Sequence, residues 1–181
     1  MICGGNLSNP KLETYETVDF LQDEIYLCEN ACITAECALD VALPYLSRTL
    51  RHCPVLIIGW GRIGKCLAQL LKSIGADVTV AARNPGHRAI LHALGFDAVD
   101  LDGMADSLPH FRLIYNTVPH PILRWEQLSL CWPDCVKIEL ASKDGLEGDD
   151  VITARGLPGI HLPESSGKLI AETFLRLCYG R

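Results

Sequence analysis

The segment Gly59-Trp60-Gly61-Arg62-Ile63-Gly64 points most directly to chemistry in this 181-residue chain. A G-x-G-x-x-G run that closes a strand and opens a helix cradles the phosphates of a dinucleotide. Gly59 permits the tight turn, Gly61 lets the main chain approach the pyrophosphate, and Gly64 lets the helix pack close to the strand. The phosphates lie on main-chain N–H groups of Trp60, Arg62 and Ile63, at the positive end of the helix.

The end of the next strand chooses the cofactor. An NAD site carries an acid there, about twenty residues on, for the ribose 2′-hydroxyl. Here the segment is Ala81-Ala82-Arg83-Asn84, with no acid. Arg83 is placed to stack on adenine and contact a 2′-phosphate, with Asn84 as a donor and Arg88 as a second cation. The pattern predicts NADP; the alternative for Arg83 is a solvated loop arginine.

Other candidates follow later strands. Asn116-Thr117-Val118-Pro119 sits where a nicotinamide ribose or amide is held, or else forms an Asx turn. Ser142-Lys143 offers Ser142 to the cofactor, and Lys143 to a substrate carboxylate or as a general acid. Gly156 and Pro158, in Gly156-Leu157-Pro158-Gly159, allow close approach to the cofactor. His161 has a side chain suited to proton transfer near neutral pH. Glu139 reads as structural. No G-x-S-x-G elbow or H-E-x-x-H pair occurs.

These residues need a parallel sheet to position them. Pro54 to Ile58 is an apolar run ending in glycine, and Ile63, Leu67, Leu70, Leu71 and Ile74 follow at helical spacing. Val78 to Ala81 reads as a second strand, and Pro85 opens a helix that stops at Gly95. Phe96–Val99, Leu113–Tyr115, Val136–Leu140 and Val151–Ala154 read as further strands. Ser165 or Ser166 caps a last helix. The alternation predicts a doubly wound α/β fold over residues 51–181. Residues 1–50 read as an appendage: a strand over Asp23–Cys28, then a helix capped by Thr34 and interrupted at Pro44.

Composition sets bounds. Net charge is −6, and residues 1–50 hold two bases against eight acids, which argues against nucleic acid as a partner. No apolar run reaches the roughly 20 residues of a membrane span. The N-terminus has no signal-peptide pattern, so the nine cysteines predict a reducing, cytoplasmic setting. Their spacings, Cys28-x3-Cys32-x4-Cys37 and Cys131-x3-Cys135, are not those of a zinc knuckle, and no metal is expected.

The stretches VLIIGWGRIGKCLAQLLKSIGADVTVAAR, YNTVP, ELASKDG and GLPG with PESSGKLIAET occur in this order. In this the chain resembles the C-terminal NADP-binding domain of the dipicolinate synthase A-subunit family, among the 2-hydroxyacid dehydrogenase-like Rossmann proteins. IYLCENACITAECALDVAL resembles that family's inter-domain helix. The resemblance implies a sporulation enzyme that works with a second, flavoprotein-like subunit. It also implies pyridine-nucleotide-linked oxidation of a cyclic dicarboxylate to dipicolinate. The alternatives are a non-catalytic nucleotide-binding or assembly subunit, and another NADP-linked enzyme of the same fold.

The chain departs from the family's pattern in three places. Only about thirty residues precede the inter-domain helix, so most of the family's N-terminal domain is expected to be missing. Leu146 to Arg155 replaces a crossover helix and strand. The strand from Val136 alternates apolar with charged residues, which predicts a face open to water or a partner. The amphipathic helix within 31–50, with Ala38, Val41, Ala42 and Tyr45, then predicts a homodimer interface of more than roughly 1,000 Å².

Overall fold

The computed structural model describes residues 1–180. Two short parallel strands, β1 (Ile2–Gly4) and β2 (Thr17–Asp19), lead into a 19-residue helix, α1 (Glu24–Ala42). Asp23 starts α1: its carboxylate accepts from the Tyr26 N–H at 2.7 Å. Asp23–Cys28 is therefore a cap and first helical turn, not the strand read from the sequence. Thr34 is no cap either; it lies mid-helix, and its hydroxyl donates to the Asn30 carbonyl at 2.6 Å. Pro44 ends the helix through a 3₁₀ turn at Leu43–Tyr45.

The remaining elements are β3 (Pro54–Ile58), α2 (Arg62–Ser73), β4 (Asp77–Ala81), α3 (Pro85–Ala93), β5 (Asp97–Val99), β6 (Leu113–Asn116), α4 (Trp125–Leu128), β7 (Val136–Glu139), β8 (Val151–Thr153), α5 (Leu157–His161) and α6 (Pro163–Tyr179). The six strands β3–β8 form one parallel sheet in the order β5-β4-β3-β6-β7-β8. The order reverses between β3 and β6, which opens a crevice at their carboxyl ends. One face packs the apolar sides of α1 and α2 with Val55, Ile57, Leu113 and Tyr115. The other packs Leu56, Ile58 and Ile114 against Met104, Leu108 and Leu128. The last helix begins at Pro163, in the first-turn position proline favours, two residues before the serines.

The charged face of β7 is closed, contrary to the sequence expectation. All four of its residues are buried, and β8 covers its edge. The crossover to β8 is an irregular loop, residues 140–150, and that loop supplies the cover. Lys137, 2% exposed, donates to Asp150 at 2.5 Å and to the Cys135 carbonyl at 3.3 Å. Glu139, fully buried, accepts from the main-chain N–H groups of Ala141 (3.0 Å), Gly145 (2.8 Å) and Leu146 (3.0 Å). A loop folded onto a sheet must satisfy its main-chain donors without a helix ladder. The Glu139 carboxylate does this.

The apolar side of α1 is likewise covered within the chain. Ala31, Ala35, Cys37, Ala38 and Ala42 are buried, and Tyr115 donates its hydroxyl to the Ala38 carbonyl. Tyr45, placed on that side by the sequence pattern, is exposed. The surface expected to form a homodimer is thus buried against this chain's own domain and does not support a dimer.

The start of α1 is tied to α6. Asp23 receives both terminal nitrogens of Arg176 on α6, at 3.0 and 2.7 Å. These bonds and the Tyr26 N–H lower its pKa to about 2, so it gains protons less readily folded than unfolded. A depressed pKa contributes stability above pH 4 that is lost as pH falls from 4 toward 2. Asp23→Asn is therefore expected to be less stable than the parent at pH 7. The gap should shrink steeply between pH 4 and pH 2, as read from urea midpoints at pH 7 and pH 2.

Candidate functional site

The glycine turn lies at the switch point between β3 and β6. Gly59 has φ +105°, and a Cβ there would meet the Thr117 hydroxyl at 2.5 Å and Val118 at 2.9 Å. Thr117 secures the turn from the other side: its hydroxyl and its N–H both reach the Ile58 carbonyl at 2.9 Å. Gly64 abuts the Gly59 carbonyl so closely that any side chain would overlap it. Gly61 differs, because a Cβ built on it meets nothing within 4 Å. It stands at the N-cap of α2 with no side-chain cap, so the first-turn N–H groups face open space. That open, donor-lined space suits a pyrophosphate.

Arg83 projects from the end of β4 into a cavity of about 250 Å³, which Leu101, Asp102, Ala105 and Ile122 also line. Its guanidinium has no hydrogen bond or ion pair among the described residues. Pro121, Ile122, Leu123 and Gln127 are shared with a larger neighbouring cavity of about 820 Å³. On the far side of the turn, a cavity of about 200 Å³ lies between Gly61, Ile63 and Thr117 and the α1 residues Leu27, Asn30 and Ala31. These spaces flank the crevice on both sides, as a two-ended ligand needs.

Several candidates from the sequence have side-chain hydrogen bonds or contacts within the protein. Arg88 faces inward: it donates to the Ala82 and Arg83 carbonyls at 2.7 and 2.8 Å and pairs with Asp100 at 2.7 Å. It shapes the Arg83 turn rather than offering a free cation. Asn84 caps α3 by accepting from the Gly86 N–H at 2.8 Å. Asn116 forms the Asx turn, accepting from the Val118 N–H at 3.1 Å, while its amide donates to both Glu139 oxygens at 2.8 and 2.9 Å. It is fully buried and does not face the crevice. Trp60 packs edge-on against Phe96 and so directs only its main chain to the turn.

Lys143 and Ser142 are exposed on the loop after β7, beside the Asp144–Arg155 pair. Val118 and Pro119 continue the Thr117 turn, and Gly156 N-caps α5 with Pro158 in its first turn. His161 is engaged by Asp40 of α1 at 2.7 Å. Asp40 lies sixteen positions beyond Glu24, about 24 Å along the helix. Glu24 is the residue that reaches the glycine turn, so His161 and Arg62 mark opposite ends of α1. His161 and Lys143 form no acid–base pair in this structure.

Glu24 is a residue beside the glycine turn that the sequence reading misses. Its carboxylate grips Arg62, the first residue of α2, with bonds of 2.9 and 2.6 Å, and Arg62 in turn holds its pKa below the usual carboxylate range. The available signal is Asp23-Glu24, an N-cap followed by an acid, which a helix start at Thr34 leaves about a dozen residues outside the helix.

A cavity of about 290 Å³ at the opposite edge of the sheet is lined by Arg48, Arg51, His52 and Arg112. It lies at the amino ends of the strands, away from the crevice. Among the described residues, no helix is long and apolar enough to cross a membrane, and no three His, Cys, Asp or Glu side chains converge as metal ligands.

Residues 36–152 match the family model for the D-isomer specific 2-hydroxyacid dehydrogenase, NAD binding domain. The chain belongs to this family. As a 2-hydroxyacid dehydrogenase-type domain it is an NAD(P)-binding, dehydrogenase-like unit with the Rossmann topology described above. It is similar to the A subunit of dipicolinate synthase from Bacillus subtilis (strain 168), with 28% identity over 166 residues, which is 87% of this chain and 56% of that protein. The crystal structure of the Bacillus subtilis dipicolinate synthase A chain superposes with a TM-score of 0.86 at 26% identity, covering 97% of this chain and 63% of that one. The crystal structure of the corresponding protein from Bacillus halodurans gives 0.85 at 24% identity, covering 96% and 65%. This 2-hydroxyacid dehydrogenase-type chain thus spans between half and two thirds of the length of these relatives.

Proposed function

We propose that the chain is an NADP-binding oxidoreductase subunit that takes part in pyridine-nucleotide-linked oxidation of a cyclic dicarboxylate, as in dipicolinate formation. The open space at Gly61 carries the reading: it faces uncapped N–H groups at the switch point, and Arg83 lines a cavity at the neighbouring strand end. Arg83 favours NADP because its guanidinium is unpaired and no carboxylate occupies the end of β4. Asp102 lines the same cavity from the next strand's exit and would face the ribose side of the ligand. When bound, the nicotinamide supplies a hydride acceptor; this chain's residues hold its phosphates and orient it. A flavoprotein-like partner in the cytoplasm fits the similarity to dipicolinate synthase.

Arg83→Ala tests cofactor choice. A charge-assisted contact to phosphate is worth about 1.5–3 kcal/mol. NADP affinity should fall about ten- to hundred-fold with NAD affinity little changed, measured by calorimetry. Equal affinity for the two cofactors in the parent protein would refute the assignment.

One observation favours a second reading, a nucleotide-binding subunit without catalysis of its own. The two side chains proposed for proton or substrate chemistry are apart: Lys143 is exposed and His161 is held by Asp40. Turnover measured with and without the flavoprotein-like partner separates the readings. Activity of this chain alone supports the first, and activity only in the pair, unaffected by Lys143→Ala, supports the second.

A further inference from the structure

The helices α1 and α2 approach closely because their contact is built from small side chains, Ala31, Ala35 and Ala38 on α1 and Ala68 on α2, all buried. This close approach brings two thiols together. Cys32 of α1 and Cys66 of α2 stand with their sulfurs 3.1 Å apart, though 34 positions separate them in sequence. A covalent S–S bond is about 2.05 Å long, so the two sulfurs need to approach by only about 1 Å to bond. Cys32 is exposed and Cys66 half-buried, so a reagent in solution reaches one partner directly. Cys32 follows Ala31 in sequence and Cys66 lies three positions after Ile63, and Ala31 and Ile63 both line the 200 Å³ cavity.

We propose that Cys32 and Cys66 form a reversible disulfide, a redox site that staples α1 to α2. The oxidant is a low-molecular-weight disulfide, RSSR. The Cys32 thiolate attacks one sulfur of RSSR, forming a Cys32–SR mixed disulfide and expelling RS⁻, which takes up the Cys32 proton. The Cys66 sulfur then attacks Cys32 Sγ, giving the Cys32–Cys66 bond and a second RSH that carries the Cys66 proton. The protein loses two electrons and two protons, and RSSR becomes two RSH. Burial and the neighbouring Cys32 thiol push the Cys66 thiol up to about 12, which makes Cys66 the poorer first nucleophile and leaves the exposed Cys32 to react first; proximity then drives the intramolecular step. Intracellular disulfides in most organisms are transient and redox-sensing, and exposure of Cys32 keeps this one open to reduction.

The full chain, reduced and then incubated with oxidised glutathione, provides the test. Free thiols are alkylated, the protein is digested without reduction, and the cross-linked peptides are identified by mass. The expected product joins the Cys32 and Cys66 peptides, disappears with dithiothreitol, and raises the thermal midpoint by about 5–10 °C. Cys32→Ser and Cys66→Ser should each abolish that rise, and Cys3→Ser, at a pair whose sulfurs are 3.9 Å apart, should leave it. Cys32 and Cys66 recovered as free or singly glutathionylated thiols, or joined to other cysteines, would overturn the proposal. So would a cross-link without a change in the midpoint.

Discussion

Gly61→Val is expected to weaken dinucleotide binding by more than about a hundred-fold while leaving the fold intact. Gly61 has an ordinary extended conformation, with φ −81° and ψ −169°, and no neighbour within 4 Å of a built Cβ. A valine therefore fits the protein, and its methyls fill the volume the pyrophosphate needs. The thermal midpoint should stay within about 3 °C of the parent, since only an N-cap preference changes. Gly64→Ala provides the contrast. Its β-carbon would overlap the Gly59 carbonyl, so this variant should lose stability along with binding. Calorimetric titration of both variants, with their melting curves, distinguishes a filled cradle from a broken turn. A Gly61→Val protein that binds normally would move the cofactor off this turn.

The second large effect concerns Glu139. Replacing it with alanine strands the N–H groups of Ala141, Gly145 and Leu146 and the Asn116 amide in a buried site. Each unsatisfied donor costs about 1–3 kcal/mol, and water entering the new space offsets part of this. Glu139→Ala should therefore lower stability by about 4 kcal/mol, among the largest single-residue effects. Hydrogen exchange should show residues 141–146 losing protection before the central strands β3 and β6. Glu139→Gln keeps the shape but turns an N–H₂ group toward at least one N–H donor, so an intermediate loss is expected. Urea midpoints of the two variants check the order, and near-parental stability of Glu139→Ala would contradict the account of the loop.

The sheet and its glycine turn are legible in the sequence because their signals are local. An apolar run, a glycine turn and a 3.6-residue pattern each fall within about twenty residues, as in Pro54 to Ile74. Family membership follows from motifs of the same kind. The misread parts depend on distant partners. Asp23–Cys28 has apolar residues at Ile25 and Leu27, which mimic strand alternation, but the segment is helical because Asp23 caps it and Arg62 and Arg176 anchor its first turn. The charged face of β7 reads as open because Lys137 and Glu139 are polar, yet Glu139 satisfies main-chain N–H groups of the helix-free crossover and Lys137 pairs with Asp150 at its end. The sequence shows the amphipathic face of α1 but not its cover within the chain, α2, so that face reads as one that needs a second copy. Arg88 and Asn116 have the right residue type at the right rim, and only the fold shows that their hydrogen-bonding capacity is used internally.

The central claim is that a dinucleotide binds at the Gly59–Gly64 turn with its adenosine end toward Arg83. Amide chemical shifts of isotope-labelled protein, followed during titration with NADP, test this directly. The account predicts saturable shifts centred on Gly61, Arg62, Ile63 and Gly64 and on Arg83 and Asn84, with weaker saturation for NAD. An absence of saturable shifts at the turn, or shifts gathered instead at Arg48 to Cys53 on the opposite edge of the sheet, would contradict it.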